Sequence, residues 1–228
     1  MNPQVIDMNE EQEFDDYRYA NYKQLAFPQF TENTIIIEQD FRIGKCGILW
    51  DSSYVLTKFI NELPLENKTI LELGAGTALP SILAAYKGAR IYTTDIKQAL
   101  NLTNRNISLN ESIFKGSVNV RELDWSVEEH RRFLDEIYFD YVFLSDLFNL
   151  PDLAKDLKET LKRSVKENTI IVACYKYRIP EIVEPFLEFF TSDYHLVNLD
   201  LEVRKFHKNP DLRFFTAKKL NYNDYKND

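Results

Sequence analysis

Gly74 and Gly76 stand two apart in "ILELGAGTALPS", residues 70–81, in a chain that has only six glycines among its 228 residues. Glycines so placed let backbone N–H groups approach a ligand with no Cβ in the way, and they also suit a tight strand-to-helix turn. A dinucleotide fingerprint, G-x-G-x-x-G, would need a third glycine at position 79, which is Leu79 followed by Pro80. The loop therefore fits a smaller ligand better than a pyrophosphate. Asp95 closes the next apolar run, about 20 residues on, where a carboxylate can accept hydrogen bonds from both hydroxyls of a ribose. It could equally cap a helix that starts at Ile96. Asp124 and Trp125 close a third run. Trp125 offers a flat face to an adenine and Asp124 a carboxylate to its exocyclic amine, although a Trp at such a place also serves packing. A glycine loop, an acid and an Asp-Trp pair in succession describe an adenosyl pocket.

Those residues need elements to hold them, and the sequence supplies an alternation. "KTILEL" reads as a strand, "LPSILAAYKG" as a helix with Pro80 in its first turn and Gly88 as its stop, and "ARIYTTD" as the next strand. "IKQALNLTNRNISLN" follows as a helix, then "SVNVRELDW", "YVFLSD" and "NTIIVACY" as three further strands. Continuous apolar runs such as "YVFL" and "TIIVAC" suit parallel strands buried on both faces. Leu153, Leu157, Leu161 and Val165 recur every four residues on a helix opened by Pro151 and Asp152. After the helix "PEIVEPFLEFF", the strands "HLVNLDLEV" and "LRFFTAKKL" are expected to form a hairpin around "KNPD", so the sheet should finish antiparallel. Upstream, "NTIIIEQDF" reads as a strand and "RIGKCG" as a bend. Asp51 or Ser52 then caps a helix carrying Val55, Leu56, Phe59, Ile60 and Leu63. The fold class is α/β, a doubly wound and mostly parallel seven-stranded sheet with an antiparallel last strand. Residues 1–43 are expected to be an extension, an acidic mobile tail plus a strand, and 44–228 the ligand-binding domain.

Bulk properties narrow the partners. With 28 Lys and Arg against 36 Asp and Glu, the net charge is −8, which disfavours nucleic acid or an anionic membrane as partner. Cys46 and Cys174 lie far apart, and His130, His195 and His207 are scattered, so no metal site is expected. Two free thiols, a start without a basic and apolar leader pattern, and no long apolar run lead to the expectation of a cytoplasmic and also nuclear protein. It is expected to be a monomer.

In order and spacing, "LELGAGTALPSI", "TTDI", "LDW" and "LSDLF" resemble the seven-strand S-adenosylmethionine-dependent methyltransferases, specifically the protein-lysine methyltransferase-like group called methyltransferase family 16. The resemblance runs from about Gly44 to the C-terminus, and "GILWDSSYVL" resembles that group's G-x-x-W segment. It implies S-adenosyl-L-methionine as cofactor, with contacts at Trp50, Gly74, Ala75, Gly76, Asp95, Asp124, Trp125 and Ser145. Glu72 matches the group's acidic residue and would hold the loop or the methionyl ammonium. Asp146 matches the Asp of an Asp-x-x-Tyr element that faces the methyl-accepting nitrogen and is the expected catalytic residue. Asn149 stands where that element has Tyr. Phe148, Tyr175 and Tyr177 could offer aromatic faces to a methylated cation, although each by itself is more often a core residue, and Arg178 could meet either an acidic substrate or a neighbouring carboxylate. The implied activity is N-methylation of a lysine side chain in a protein, such as a basic translation factor or a chaperone. Arginine, another protein nitrogen, a small molecule, or cofactor binding without turnover remain open alternatives.

Overall fold

A computed structural model describes residues 5–7 and 24–220 of the chain. The expected acidic tail lies largely outside the described residues; within it, β1 (Val5–Asp7) pairs parallel with β2 (Gln24–Phe27). β2 pairs antiparallel with β3 (Ile35–Glu38), completing a small sheet. A 3-10 turn, Phe41–Gly47, kinks at Gly44 (φ +72°) and leads into α1 (Asp51–Ile60). Trp50, not Asp51 or Ser52, takes the capping position, and its carbonyl accepts the N–H groups of Ser53 and Tyr54.

The alternating unit follows: β4 (Thr69–Leu73), α2 (Leu79–Tyr86), β5 (Arg90–Asp95), α3 (Lys97–Asn110) and β6 (Ser117–Glu122). Two single-turn helices, α4 (Glu128–Arg131) and α5 (Phe133–Glu136), connect to β7 (Tyr141–Ser145). Next come α6 (Ala154–Ser164), β8 (Ile170–Lys176), α7 (Pro180–Asp193), β9 (Tyr194–Asn198), α8 (Asp200–Val203) and β10 (Leu212–Lys219). The main sheet has the order β6-β5-β4-β7-β8-β10-β9, and β10 runs antiparallel to both of its neighbours.

Period-two alternation sends successive side chains of these buried strands into two different cores. In β4, Ile70 packs with the core on the α1–α2 side, while Leu71 and Leu73 join the core on the α6–α7 side. In β8, Val172 and Cys174 face the first core, and Ile171, Ala173 and Tyr175 the second. A strand with a helix layer on each face has no polar side to show.

The hairpin is corrected in its connection. β9 and β10 pair antiparallel as expected, but "HLVNLDLEV" is extended only to Asn198. Asn198 Oδ1 accepts the Asp200 N–H at 2.9 Å, and the Asp200 carboxylate accepts the Phe214 N–H at 2.6 Å. This local turn starts α8, which buries Val203 and leaves Leu201 outside.

α3 also anchors the small sheet. Asn106 Oδ1 accepts the Glu38 N–H at 2.8 Å and its Nδ2 donates to the Glu38 carbonyl at 3.0 Å. Asn110 does the same to Ile36, at 2.8 and 2.7 Å. Two amides one helical turn apart thus supply the hydrogen bonds that a neighbouring strand would give β3.

Candidate active site

β4 is where the chain's winding reverses, with β5 and β6 added on one side and β7 and β8 on the other. Ligands of open α/β sheets sit at the carboxyl ends of the strands at such a reversal. A cavity of about 410 Å³ opens there, large enough for a nucleoside-sized ligand. Gly74, Ala75, Gly76, Asp95, Asp124, Trp125, Ser145, Asp146 and Trp50 all line it.

The loop after β4 is held from three sides. Gly76 N–H donates to Asp95 Oδ2 at 2.7 Å, Ala75 N–H donates to the Thr94 carbonyl at 3.0 Å, and Thr103 Oγ1 donates to the Gly76 carbonyl at 2.7 Å. Both glycines have positive φ, +59° at Gly74 and +52° at Gly76. A Cβ on Gly74 would meet Leu147 Cδ2 at 2.5 Å, and one on Gly76 would meet the Cys46 carbonyl oxygen at 2.9 Å. The glycines therefore let the cavity's own walls close around the loop, besides leaving its backbone open to a ligand.

Asp95 is buried, and each carboxylate oxygen takes one backbone N–H, Oδ1 from Ile96 and Oδ2 from Gly76, both at 2.7 Å. Burial pushes its pKa up to about 6 against the pull of those two bonds. The remaining lone pairs are available to hydroxyl donors. Asp124 Oδ1 accepts the Ser126 hydroxyl at 2.7 Å and the Ser126 N–H at 2.9 Å, and these bonds hold the carboxyl below the usual range. Trp125 is almost wholly buried in the core on the α6–α7 side while reaching the cavity wall.

Glu72 alone of the expected contacts does not line the cavity. It lies buried behind the loop, accepts the Ser81 hydroxyl, and leaves Oε1 without a partner. Thr93 Oγ1 donates in turn to Ser81 Oγ at 2.7 Å. Burial pushes Glu72 up to about 8, so at neutral pH it is mostly the uncharged acid. It ties the end of β4 to the first turn of α2.

At the end of β7, Asp146 has φ +56°, a left-handed conformation that Asp tolerates better than most residues. Its side chain is 4% exposed. Oδ1 accepts the Lys176 N–H at 3.0 Å, and Arg178 grips both oxygens, Nη1 to Oδ1 at 3.0 Å and Nη2 to Oδ2 at 2.8 Å. Of the two expected roles for Arg178, the neighbouring carboxylate is the one formed. The guanidinium also lies over the Trp50 ring, 5.3 Å from its centroid. Asn149, standing where a Tyr was expected, donates from Nδ2 to the Asp146 carbonyl and receives Lys45 Nζ at 3.4 Å.

Of the two readings of the aromatics, the structure forms the core one for Phe148 and Tyr175. Phe148 is core, with its ring stacked on Phe186 and close to Tyr175 and Phe190. Tyr175 is buried as well, and Tyr177 Oη donates to Glu184 at 2.6 Å; none of the three lines the cavity. The aromatic face beside Asp146 belongs to Trp50. One wall went unread in the sequence: the 3-10 turn supplies Ile43, Gly44, Lys45 and Cys46. Its signal is the two glycines of "RIGKCG", which by themselves indicate only a bend.

Family models match this chain to the lysine methyltransferase family over residues 29–193. The chain is 30% identical to mouse protein N-lysine methyltransferase METTL21A, over 88% of this chain and 90% of the relative. It is 28% identical to the Xenopus tropicalis METTL21A, over 83% and 85%. Among solved structures, SMU.776 complexed with SAH shares the fold at a TM-score of 0.57 and 17% identity, over 81% of this chain and 53% of that one. The TehB-like SAM-dependent methyltransferase from Corynebacterium glutamicum does so at 0.51 and 14%, over 78% and 93%. This chain belongs to the lysine methyltransferase family, and its chemistry is S-adenosylmethionine-dependent methylation of lysine.

The residues present fit that cofactor. At Gly76 a Cβ would meet the Cys46 carbonyl, Asp95 keeps free lone pairs for ribose hydroxyls, and the carboxylates of Asp95 and Asp124 favour a ligand carrying a positive sulfonium.

Proposed function

We propose that this protein N-methylates a lysine side chain in a protein substrate, with Asp146 receiving the acceptor nitrogen. The observation that carries the reading is a buried carboxylate, fixed by backbone bonds at the cavity wall beside Ser145 and an aromatic face, Trp50. S-adenosylmethionine, when bound, supplies an electrophilic methyl group. The protein's task is to present a neutral amine in line with that group and to exclude water. Asp95 and the loop 74–76 hold the nucleoside, Asp124 and Trp125 border the adenine end, and Ser145 lines the path toward Asp146. Asp146 orients the amine nitrogen by accepting its hydrogens and stabilises the positive charge that the nitrogen gains. A lysine normally holds its proton up to about 10.4, so it reaches Asp146 as the ammonium and gives that proton to solvent before its nitrogen attacks the methyl group.

We propose further that the substrate segment is basic. The net charge of −8 and the acidic cavity attract a cationic segment over long range. The test is transfer from methyl-labelled S-adenosylmethionine into extract proteins, followed by acid hydrolysis. Label in methyl-lysine supports the reading, and label confined to methyl-arginine overturns it.

A further inference from the structure

We propose that Arg178 is an internal occupant of the acceptor-amine site: the slot between the Asp146 carboxylate and the Trp50 ring binds a primary ammonium, and Arg178 fills it until a substrate lysine takes its place. The inference rests on the reading of Asp146 given above.

Three observations lead there. First, Asp146 does not need Arg178 to be held. Its N–H donates to the Cys174 carbonyl at 2.8 Å, its carbonyl receives Asn149, and its Oδ1 receives Lys176 N–H, so backbone and carboxylate are fixed by strand and turn. A guanidinium added to a carboxylate already oriented is a ligand rather than a brace. Second, the two partners differ in access. The Asp146 side chain is 4% exposed and that of Arg178 35% exposed. Arg178 belongs to the short connection between β8 and α7, whose residues 178–180 are exposed. A side chain there can leave without disturbing the core. Third, the slot has the composition of a cation site, a carboxylate on one side and an indole face on the other. A lysine ammonium placed there would make the same two kinds of contact.

The exchange also answers an electrostatic need. A buried carboxylate stripped of its cation is strongly destabilised, so Arg178 departs only as another cation arrives. Until then Asp146 is covered. Entry is then restricted to a competing cation, which gives one proton to solvent before transfer.

The test uses the full-length protein with S-adenosylhomocysteine and n-butylammonium chloride as the probe, a mimic of the end of a lysine side chain. Tryptophan fluorescence reports the slot, with sodium chloride at equal ionic strength as control and Trp50→Phe to assign the signal. Arg178→Ala is expected to bind n-butylammonium saturably and at least tenfold more tightly than the unaltered protein. Arg178→Gln, which keeps the bulk, should fall between them, and adding Asp146→Asn to either variant should abolish the response. Identical titration curves for the unaltered protein and both variants would overturn the proposal, as would no saturable response in any. The titration involves no turnover. Failure there alongside intact lysine methylation removes the internal occupant only, whereas failure of lysine methylation removes the functional reading itself.

Discussion

The N–H of Gly76 and the carboxylate of Asp95 meet at 2.7 Å, joining the loop after β4 to the end of β5. One bond thereby ties two cavity-lining elements together, and it uses one oxygen of the carboxylate proposed to hold the ribose. The loop and the acid act as one unit.

Replacing that acid should damage both jobs. Asp95→Ala removes two charge-assisted ribose bonds and is expected to weaken S-adenosylhomocysteine about 100-fold by calorimetric titration. Its affinity for the unaltered protein should also rise from pH 5 to pH 7. Hydroxyl donors favour the ionised carboxylate, and Asp95 ionises at about 6. A flat pH profile would contradict its role as the ribose acceptor.

Glu72 gives the fold a pH dependence of its own. Its pKa lies near 4.5 in the unfolded chain and is raised to about 8 in the folded one. Between those values the native state holds a proton that the unfolded state has lost, so stability is fully present below about 4.5 and falls as pH rises toward 8. Asp95, raised to about 6, shifts in the same sense but titrates at lower pH. Comparing pH 7 with pH 8, where Asp95 is already about nine-tenths ionised, isolates Glu72. Melting temperature should drop by several degrees over that window, about 2–4 °C for each kcal/mol at this chain length. Glu72→Gln keeps an acceptor for Ser81 and should flatten the slope.

The two loop glycines should respond differently to alanine. Both would place a Cβ on left-handed backbone, costing about 1–2 kcal/mol. At Gly74 the added carbon meets the end of the Leu147 side chain, which can turn away. At Gly76 it meets the backbone carbonyl of Cys46, which cannot. Thermal denaturation is expected to show a larger loss for Gly76→Ala than for Gly74→Ala.

Much of this site was legible because it clings to strongly patterned strands. Gly74, Asp95 and Asp146 each sit at or just past the end of a buried strand and Trp125 three residues past β6, so placing the strands placed them. Side-chain partners chosen across long sequence distances were not legible. Arg178 finds Asp146 from 32 residues away, and Asn106 and Asn110 find β3 from 68 and 74. The i, i+4 spacing of those two amides was a signal, since both lie on one helix face. The side chains of Phe148 and Tyr175 leave two readings open for a related reason. A strand-end aromatic can turn toward the ligand or the core, and here α7 supplies Phe186 and Phe190, which draw them inward. The stretch "LDLEV" alternates like a strand, but the hydrogen bonds of Asn198 and Asp200 turn it into α8.

The central claim is that Asp146 handles the acceptor while the cofactor is held elsewhere in the cavity. Asp146→Asn suits the same backbone, since Asn shares the tolerance for positive φ, and it preserves the side chain's shape while removing its charge. The decisive measurement pairs S-adenosylhomocysteine titration with labelled-methyl transfer to lysine for this variant and the unaltered protein. The account predicts affinities within about threefold of each other and transfer reduced about 100-fold or more. Undiminished transfer by Asp146→Asn would contradict it.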